Sequence, residues 1–124
     1  MSKIKVIQAV NTSDYDQIDG LSCIKYWENN TPYRQESVRY CRATLHYATE
    51  TDSLVGAHVI GIVDGQPHVY ITPILSSVNT SNDPESFMVD TKDLVRIPLK
   101  DEQAILLDRA NKMRILKLTH QKLV

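Results

Sequence analysis

GAHVIGIVDGQPHVYIT, which occupies residues 56–72, is the stretch that decides the fold. Two runs rich in β-branched residues flank Asp64-Gly65, a dipeptide that favours a two-residue hairpin turn. We therefore predict a strand from Ala57 to Val63 and a return strand from Pro67 to Thr72. Because Pro67 cannot donate a ladder hydrogen bond, it must lie at the start of a strand or at a sheet edge.

A short helix is predicted directly after the hairpin. Thr72 can cap a helix, and Pro73 suits its first position, where a missing N–H has no effect. The residues from Asn79 to Pro84 favour turns, so this helix must be short. The expected local unit is thus a β-hairpin followed by a helix.

Upstream of the hairpin, the pattern predicts two strands and a helix. Apolar residues alternate over residues 4–10, which is typical of a half-buried strand. Ile24 and Trp27 are three residues apart, which indicates a short helix from Cys23 to Glu28 that buries Trp27. Ser37 to Thr49 is rich in β-branched and aromatic residues and favours a strand.

Downstream, Ser86–Asp90 and Leu94–Ile97 read as short strands, and Pro98 ends the second. Asp101 can cap a last helix, although the pattern from Arg114 onward also fits a strand. That helix would have one apolar face, made by Leu106, Ala110, Met113 and Leu116. The predicted fold class is α+β, in a single domain over residues 1–124: a hairpin–helix core with further short strands and flanking helices.

Length and composition indicate an ordinary small domain. The chain has 124 residues and a net charge of -1, which excludes a uniformly basic nucleic-acid coat and an acidic DNA mimic. Two cysteines, Cys23 and Cys41, cannot form a dense disulfide framework or a four-thiolate zinc site. The sequence has no signal-peptide pattern and no apolar stretch near the ~20 residues that span a bilayer. We therefore expect a cytoplasmic protein with free thiols and no membrane partner.

Charge is unevenly distributed along the chain. After Asp108 the chain carries five cations and no acid, which gives this segment +5 against -6 for the rest. Such a segment can contact phosphate or an acidic partner, or it can be a solvated face that packs against the acidic body. The low density of the cations favours the second interpretation. Under the first interpretation, the predicted binding residues are Arg109, Lys112, Arg114 and Lys117.

The hairpin–helix segment also carries a recognisable set of residues: Cys41, then Gly56-Ala57-His58-Val59, then Tyr70-Ile71-Thr72-Pro73-Ile74-Leu75-Ser76-Ser77-Val78-Asn79. This resembles the small treble-clef, HNH-like (ββα-metal) zinc proteins of bacteria and mobile elements. Their pattern is a C-x-x-C knuckle, then G-A-H-V, then Y-I-x-P-L-C-x-x-C/H-N. The resemblance covers residues 41–79.

The departures from that pattern concern the zinc ligands. Thr44 stands where the resemblance implies the second knuckle cysteine, and Leu75 and Val78 stand where it implies the two helix ligands. Aliphatic side chains have no lone pair for zinc, and Cys41 alone cannot hold the ion. We therefore expect a version of the fold with no zinc and no cofactor, in which the former site is filled with core.

His58 and Asn79 are the residues that an HNH-type nuclease would use. By the resemblance, His58 stands where such enzymes carry the general base. These enzymes also need a divalent metal, held by a second histidine or an acid near the helix. Residues 73–84 contain no histidine, and Asp83 is the nearest acid. The alternative interpretation, which we favour, is a partly buried strand histidine bonded to the backbone.

Two further arrangements can be considered. A metal site from Cys41, His46, His58 and His68 is disfavoured, because a two-residue turn places His68 opposite Gly61 and on the other sheet face from His58. A nucleophilic pair of Cys23 and His58 is disfavoured because a cysteine on the buried side of a helix is normally inert.

The sequence thus favours a non-catalytic binding module on a degenerate, zinc-free HNH-like scaffold. Its expected partner is a protein or a nucleic acid, and by analogy it would suit a phage or mobile-element inhibitor. Self-association is a further expectation, because short strands leave sheet edges to cover. The alternatives are a residual metal-dependent nuclease that uses His58, and a nucleic-acid-binding protein that uses the basic C-terminal segment.

Overall fold

The computed structural model describes residues 2–32 and 39–123, and side chains among these up to residue 119. The strands are β1 (Lys3–Gln8), β2 (Gln17–Ile18), β3 (Leu21–Ser22), β4 (Leu54–Val63), β5 (Gln66–Leu75), β6 (Ser86–Asp90) and β7 (Val95–Arg96). The helices are α1 (Cys23–Asn29), α2 (Ser76–Ser81), α3 (Leu99–Leu107) and α4 (Arg109–Leu123), with 3₁₀ turns at Ser13–Tyr15 and Thr91–Asp93. The fold class is α+β, as predicted.

The predicted hairpin is the centre of the main sheet. That sheet has the order β6-β1-β4-β5-β7 with antiparallel neighbours, and β2 and β3 form a separate two-stranded sheet. Val63 pairs with Gln66, which leaves Asp64-Gly65 as a two-residue turn. Both turn residues have positive φ, 53° and 78°, as a type I′ turn requires. The turn chemistry therefore set the register of the hairpin correctly.

The helix after the hairpin begins later than predicted. Thr72 and Pro73 are not its first residues, because β5 continues to Leu75 and the helix starts at Ser76. Pro73 stays paired opposite Gly56, and its carbonyl oxygen accepts from the Arg42 N–H at 2.9 Å. Extending the strand buries Ile74 and Leu75, and this burial outweighs the local preference of proline for a helix start.

Both faces of the main sheet are covered by core. Val59 and Ile60 are adjacent on β4, point to opposite faces and are both fully buried. The helix-side core consists of Ile7, Ala9, Ile18, Cys23, Trp27, Ile60, Val69, Ile71, Val95, Ile97, Ile105 and Leu118. The other core, which includes Val78 of α2 and which we call the α2-side core, consists of Val6, Cys41, Leu54, Ala57, Val59, Ile74, Leu75, Val78, Phe87 and Val89.

The two predicted upstream strands are only partly correct. β1 is more buried than its alternation suggests, since Val6, Ile7 and Gln8 are all buried between β4 and β6. The strand predicted over Ser37–Thr49 is wrong for residues 39–49, which form a turn closed by a single bridge between Tyr40 and Tyr47. Residues 37 and 38 of that prediction lie outside the described residues.

The predicted helix α1 and the predicted strands β6 and β7 are confirmed. Ser22 caps α1 by accepting from the Lys25 N–H, and Trp27 is fully buried. β6 has the predicted bounds, and β7 is a shorter form of the second strand, which ends before Pro98.

The predicted last helix is two helices. Asp108 separates α3 from α4 and accepts from the Ala110 N–H with its side chain, as a residue that starts a helix does. The single apolar face predicted across this region does not exist. Instead Ile105 and Leu118 enter the core, and Asn111 is fully buried between the two helices, where its amide donates to the Ile105 carbonyl oxygen at 3.0 Å. None of the described helices is long and apolar enough to cross a membrane.

A buried carboxylate attaches α3 to the sheet. β7 pairs only with residues 70 and 71 of β5, so the Val69 N–H needs another partner. Glu102, which is buried, accepts from that N–H at 2.9 Å and from the guanidinium of Arg96 at 2.8 and 3.0 Å. Burial opposes ionisation of Glu102, but the bonds from Arg96 and Val69 outweigh it and lower its pKa.

Candidate functional site

A cleft of about 380 Å³ lies where the chain after β1, the start of α1 and β4 come together. Its polar lining comes from Thr12, Ser13, Asp16, Ser22, His58 and Asn79. Its apolar lining comes from Cys23, Ile24, Val55, Gly56 and Ala57. The volume is at the small end of the range for ligand-binding pockets.

Gly56 is the residue that brings α1 against β4. A Cβ atom added at Gly56 would lie 2.6 Å from the carbonyl carbon of Cys23 and 2.6 Å from the backbone nitrogen of Ile24. No side chain fits between two backbones at that distance, so only glycine permits this approach. The approach places the first residue of α1 beside His58, two residues along β4.

The structure brings Cys23 and His58 together, although the sequence disfavours them as a nucleophilic pair. The Cys23 Sγ lies 4.0 Å from the Nε2 atom of His58. The main-chain oxygens of Asp16 and Tyr15 lie nearer to Sγ, at 3.4 and 3.5 Å, so they are the better acceptors for its single hydrogen. Burial, reinforced by the charges of Asp16 and Asp101, raises the pKa of the Cys23 thiol to about 11. At neutral pH the pair is a protonated thiol beside an imidazole, with little thiolate available for attack.

His58 is a buried, neutral histidine. It is 6% exposed, which is more buried than expected for a partly exposed strand residue. Burial lowers its pKa to about 4, against the opposing effects of Asp101, a hydrogen bond to the Tyr15 main chain, and Asp16. Asn79 lines the same cleft, so the two residues of the nuclease alternative do share one cavity.

Core residues occupy three of the four positions that the resemblance assigns to zinc ligands. Cys41 is fully buried and belongs to the α2-side core together with Leu75 and Val78. The burial predicted for Leu75 and Val78 is thus confirmed. Thr44 lies in a turn in which the Cys41 carbonyl oxygen accepts from the Leu45 N–H at 2.7 Å. The described part of the chain contains no group of three or more His, Cys, Asp or Glu residues that could hold a metal ion.

Neither His46 nor His68 joins His58. His68 pairs opposite Gly61, as predicted from the two-residue turn. Its Nδ1 atom lies 3.5 Å from the carboxylate of Glu102. His46 is exposed in the turn after Cys41. The four-residue metal site that the sequence disfavoured is therefore absent from the described residues.

The four predicted binding cations fall into two pairs. Arg114 is largely buried, donates to the Gln8 carbonyl oxygen at 2.8 Å, and lies 3.5 Å from the Glu85 carboxylate. Lys117 also lies 3.5 Å from Glu85. Arg109 and Lys112 are exposed on the first turns of α4. The interpretation that the basic segment packs against the acidic body is thus correct for Arg114, whereas Lys117 is an exposed cation near the same acid.

Exposed apolar side chains accompany the exposed cations. Met113 is 58% exposed and Leu116 is 60% exposed, and both lie on the same face of α4 as Arg109 and Lys112. We call these four residues the α4 stripe. The sequence predicted Met113 and Leu116 on a single apolar face with Leu106, but the structure exposes Met113 and Leu116 and packs Leu106 against the helix-side core.

Sequence reasoning missed the cleft. Its lining residues are distributed over positions 12–79, and no spacing in the sequence connects Asp16 with His58 or Asn79. Gly56 was the available signal, since an isolated glycine in a strand often marks a close backbone approach. Comparison of the chain with protein-family models, with curated proteins and with solved structures found no match.

Proposed function

We propose that this protein is a non-catalytic binding module, built on a zinc-free version of the HNH-like scaffold that its sequence resembles. The observation that carries the proposal is the shared core of Cys41, Leu75 and Val78. A residual site would keep polar ligands near the metal position, whereas these side chains are packed together and buried. Such packing stabilises the fold by about 1.5–3 kcal/mol for each large side chain, which supports a fold that does not need the ion.

The α4 stripe is the surface that best suits a partner. Single exposed apolar residues are common, but Met113 and Leu116 are one turn apart and are bordered by two cations. A complementary partner presents apolar side chains in a groove or helix face with acidic side chains at its rim. This chemistry favours an acidic protein surface over nucleic acid, because an exposed Met–Leu pair gains nothing from a phosphate backbone.

The first test concerns the metal. The protein purified without added metal should contain no stoichiometric zinc by elemental analysis, and a chelator should leave its melting temperature unchanged. One zinc per chain, or a melting temperature that falls with chelator, would contradict the proposal, because structural zinc stabilises its fold directly.

The second test concerns the surface. A partner captured from the source cell by the wild-type protein should be purified and its affinity measured against Met113→Ser/Leu116→Ser and against Arg109→Gln/Lys112→Gln. Leu99→Ser is the matched control, because Leu99 is an exposed leucine outside the stripe. The stripe variants should bind more weakly, and the effect of the charge variant should shrink as salt rises.

Three outcomes would contradict this assignment. Unchanged affinity of both stripe variants would remove the surface. A partner that proves to be DNA or RNA would favour the nucleic-acid alternative. A concentration-dependent mass that is abolished by the stripe variants would instead assign the surface to self-association.

A further inference from the structure

The polar groups in the cleft beside His58 that have a fixed role toward a ligand are hydrogen-bond acceptors. The carboxylate of Asp16 only accepts hydrogen bonds, and a neutral imidazole such as that of His58 keeps one ring nitrogen that accepts. The hydroxyls of Thr12, Ser13 and Ser22 and the amide of Asn79 can adapt to either role. Among the residues that the structure describes, no lysine or arginine lines the cleft. The fixed groups therefore call for a hydrogen-bond donor.

The negative charges near the cleft also favour a ligand that donates hydrogen bonds. Asp16 and Asp101 both act on the Cys23 thiol and on the His58 imidazole, and in each case they favour the more protonated form. The thiol and the imidazole, which lie 4.0 Å apart at the bottom of the cleft, thus experience the same negative potential. A cation would be attracted to this potential, and an anion such as phosphate would be repelled.

One ring nitrogen of His58 is used by the hydrogen bond to the Tyr15 main chain, and the geometry of the Cys23 thiol leaves the other nitrogen available as an acceptor. Sγ of Cys23 has one hydrogen, and the main-chain oxygens at 3.4 and 3.5 Å are closer to it than Nε2 at 4.0 Å. His58 is only 6% exposed, yet it lines the open cleft. A buried polar side chain that faces a cavity gains from a ligand that satisfies it.

We propose that this cleft is a binding site for an ammonium or guanidinium group carried on a short apolar stem. The cation lies at Asp16 and donates toward His58 and Asn79, and the stem packs on Ile24, Val55 and Ala57. The site is distinct from the α4 stripe and does not depend on it. A free small amine and a basic side chain of a peptide share this chemistry.

The test is a titration followed by NMR. Agmatine, whose four-carbon stem carries a guanidinium at one end and an ammonium at the other, should shift the amide signals of Gly56 and Ala57 and the ring signals of His58. Butanol and inorganic phosphate, which lack the cation, should not shift them. Binding should saturate in the millimolar range, about 10 mM or below, as expected for one exposed ion pair with modest apolar contact.

Variants locate the cation. Asp16→Asn keeps the shape of the side chain and removes its charge, so agmatine affinity should fall by about two- to five-fold, the range for an exposed ion pair. Asp14→Asn is the matched control, because Asp14 is an exposed acid two residues away that does not line the cleft. Both residues are on the surface, so both variants should fold.

The two sources of the cation are distinguished with a blocked tripeptide, acetyl-Gly-Arg-Gly-amide. Tighter binding of the tripeptide than of agmatine supports a protein side chain as the ligand, and the reverse order supports a free amine. The proposal fails if agmatine causes no shift, if butanol causes the same shift, or if Asp16→Asn and Asp14→Asn bind agmatine equally.

Discussion

Replacing Gly56 by alanine should destabilise the protein far more than the same change at Gly61. Both glycines lie in β4, are flanked by β-branched or small residues, and have no positive φ to strain a side chain. Alanine in a strand gains a few tenths to about 1 kcal/mol over glycine because the unfolded chain has less freedom to lose. The two positions differ only in what the new methyl group meets.

At Gly56 the methyl group meets backbone. The added Cβ would lie 2.6 Å from two main-chain atoms of Cys23 and Ile24 and 2.8 Å from the Cys23 Cβ, so α1 must move away from the sheet. Overpacking of this kind typically costs about 1–3 kcal/mol, and the rigid backbone contact favours the upper part of that range. At Gly61 the nearest atom is the Ile4 Cδ1 at 3.0 Å, the tip of a flexible side chain that can rotate away.

Equilibrium unfolding in urea measures the difference. Gly61→Ala should stay within about 1 kcal/mol of wild type, and Gly56→Ala should be at least about 2 kcal/mol less stable than Gly61→Ala with a similar m value. Gly56→Ala should also change the shape of the cleft, because α1 moves, and the amide chemical shifts of Cys23 and Ile24 should change with it. Equal stability of the two variants would refute the close approach of α1 to β4.

Three more predictions follow from the buried residues. Because the pKa of His58 is about 4 in the folded protein and 6.5 in the unfolded chain, the unfolded chain binds the proton first as pH falls. The free energy of unfolding should therefore drop by up to about 3 kcal/mol between pH 6.5 and 4, and His58→Gln should flatten that part of a pH series of urea titrations; parallel curves would contradict the buried neutral state. Leu75→Ala should cost about 2–5 kcal/mol in the same assay, and a change below about 0.5 kcal/mol would show that Leu75 is not core. Purified protein should not cleave DNA or RNA with magnesium or manganese, whereas nicking that His58→Ala abolishes would promote the nuclease alternative.

The sequence by itself determined the hairpin and its register. Asp64-Gly65 favours a two-residue turn for reasons local to those residues, and the period of two then fixes which residues face each other. The cap of α1 and the strand β6 are local in the same sense. The aliphatic character of Leu75 and Val78, where the resemblance implies zinc ligands, was also readable, because it depends on side-chain chemistry alone.

Only the tertiary structure decided which faces are buried and which residues meet. Thr72 and Pro73 have a local preference for a helix start, but pairing with β4 buries Ile74 and Leu75 and extends the strand. Met113 and Leu116 face outward because α4 packs through Leu118 and the buried amide of Asn111, and helical spacing alone does not distinguish the two faces. The cleft depends on a backbone approach at Gly56 between segments more than thirty residues apart in the chain. Local propensity carries no information about such long-range contacts, and burial energy summed over the whole core selects among them.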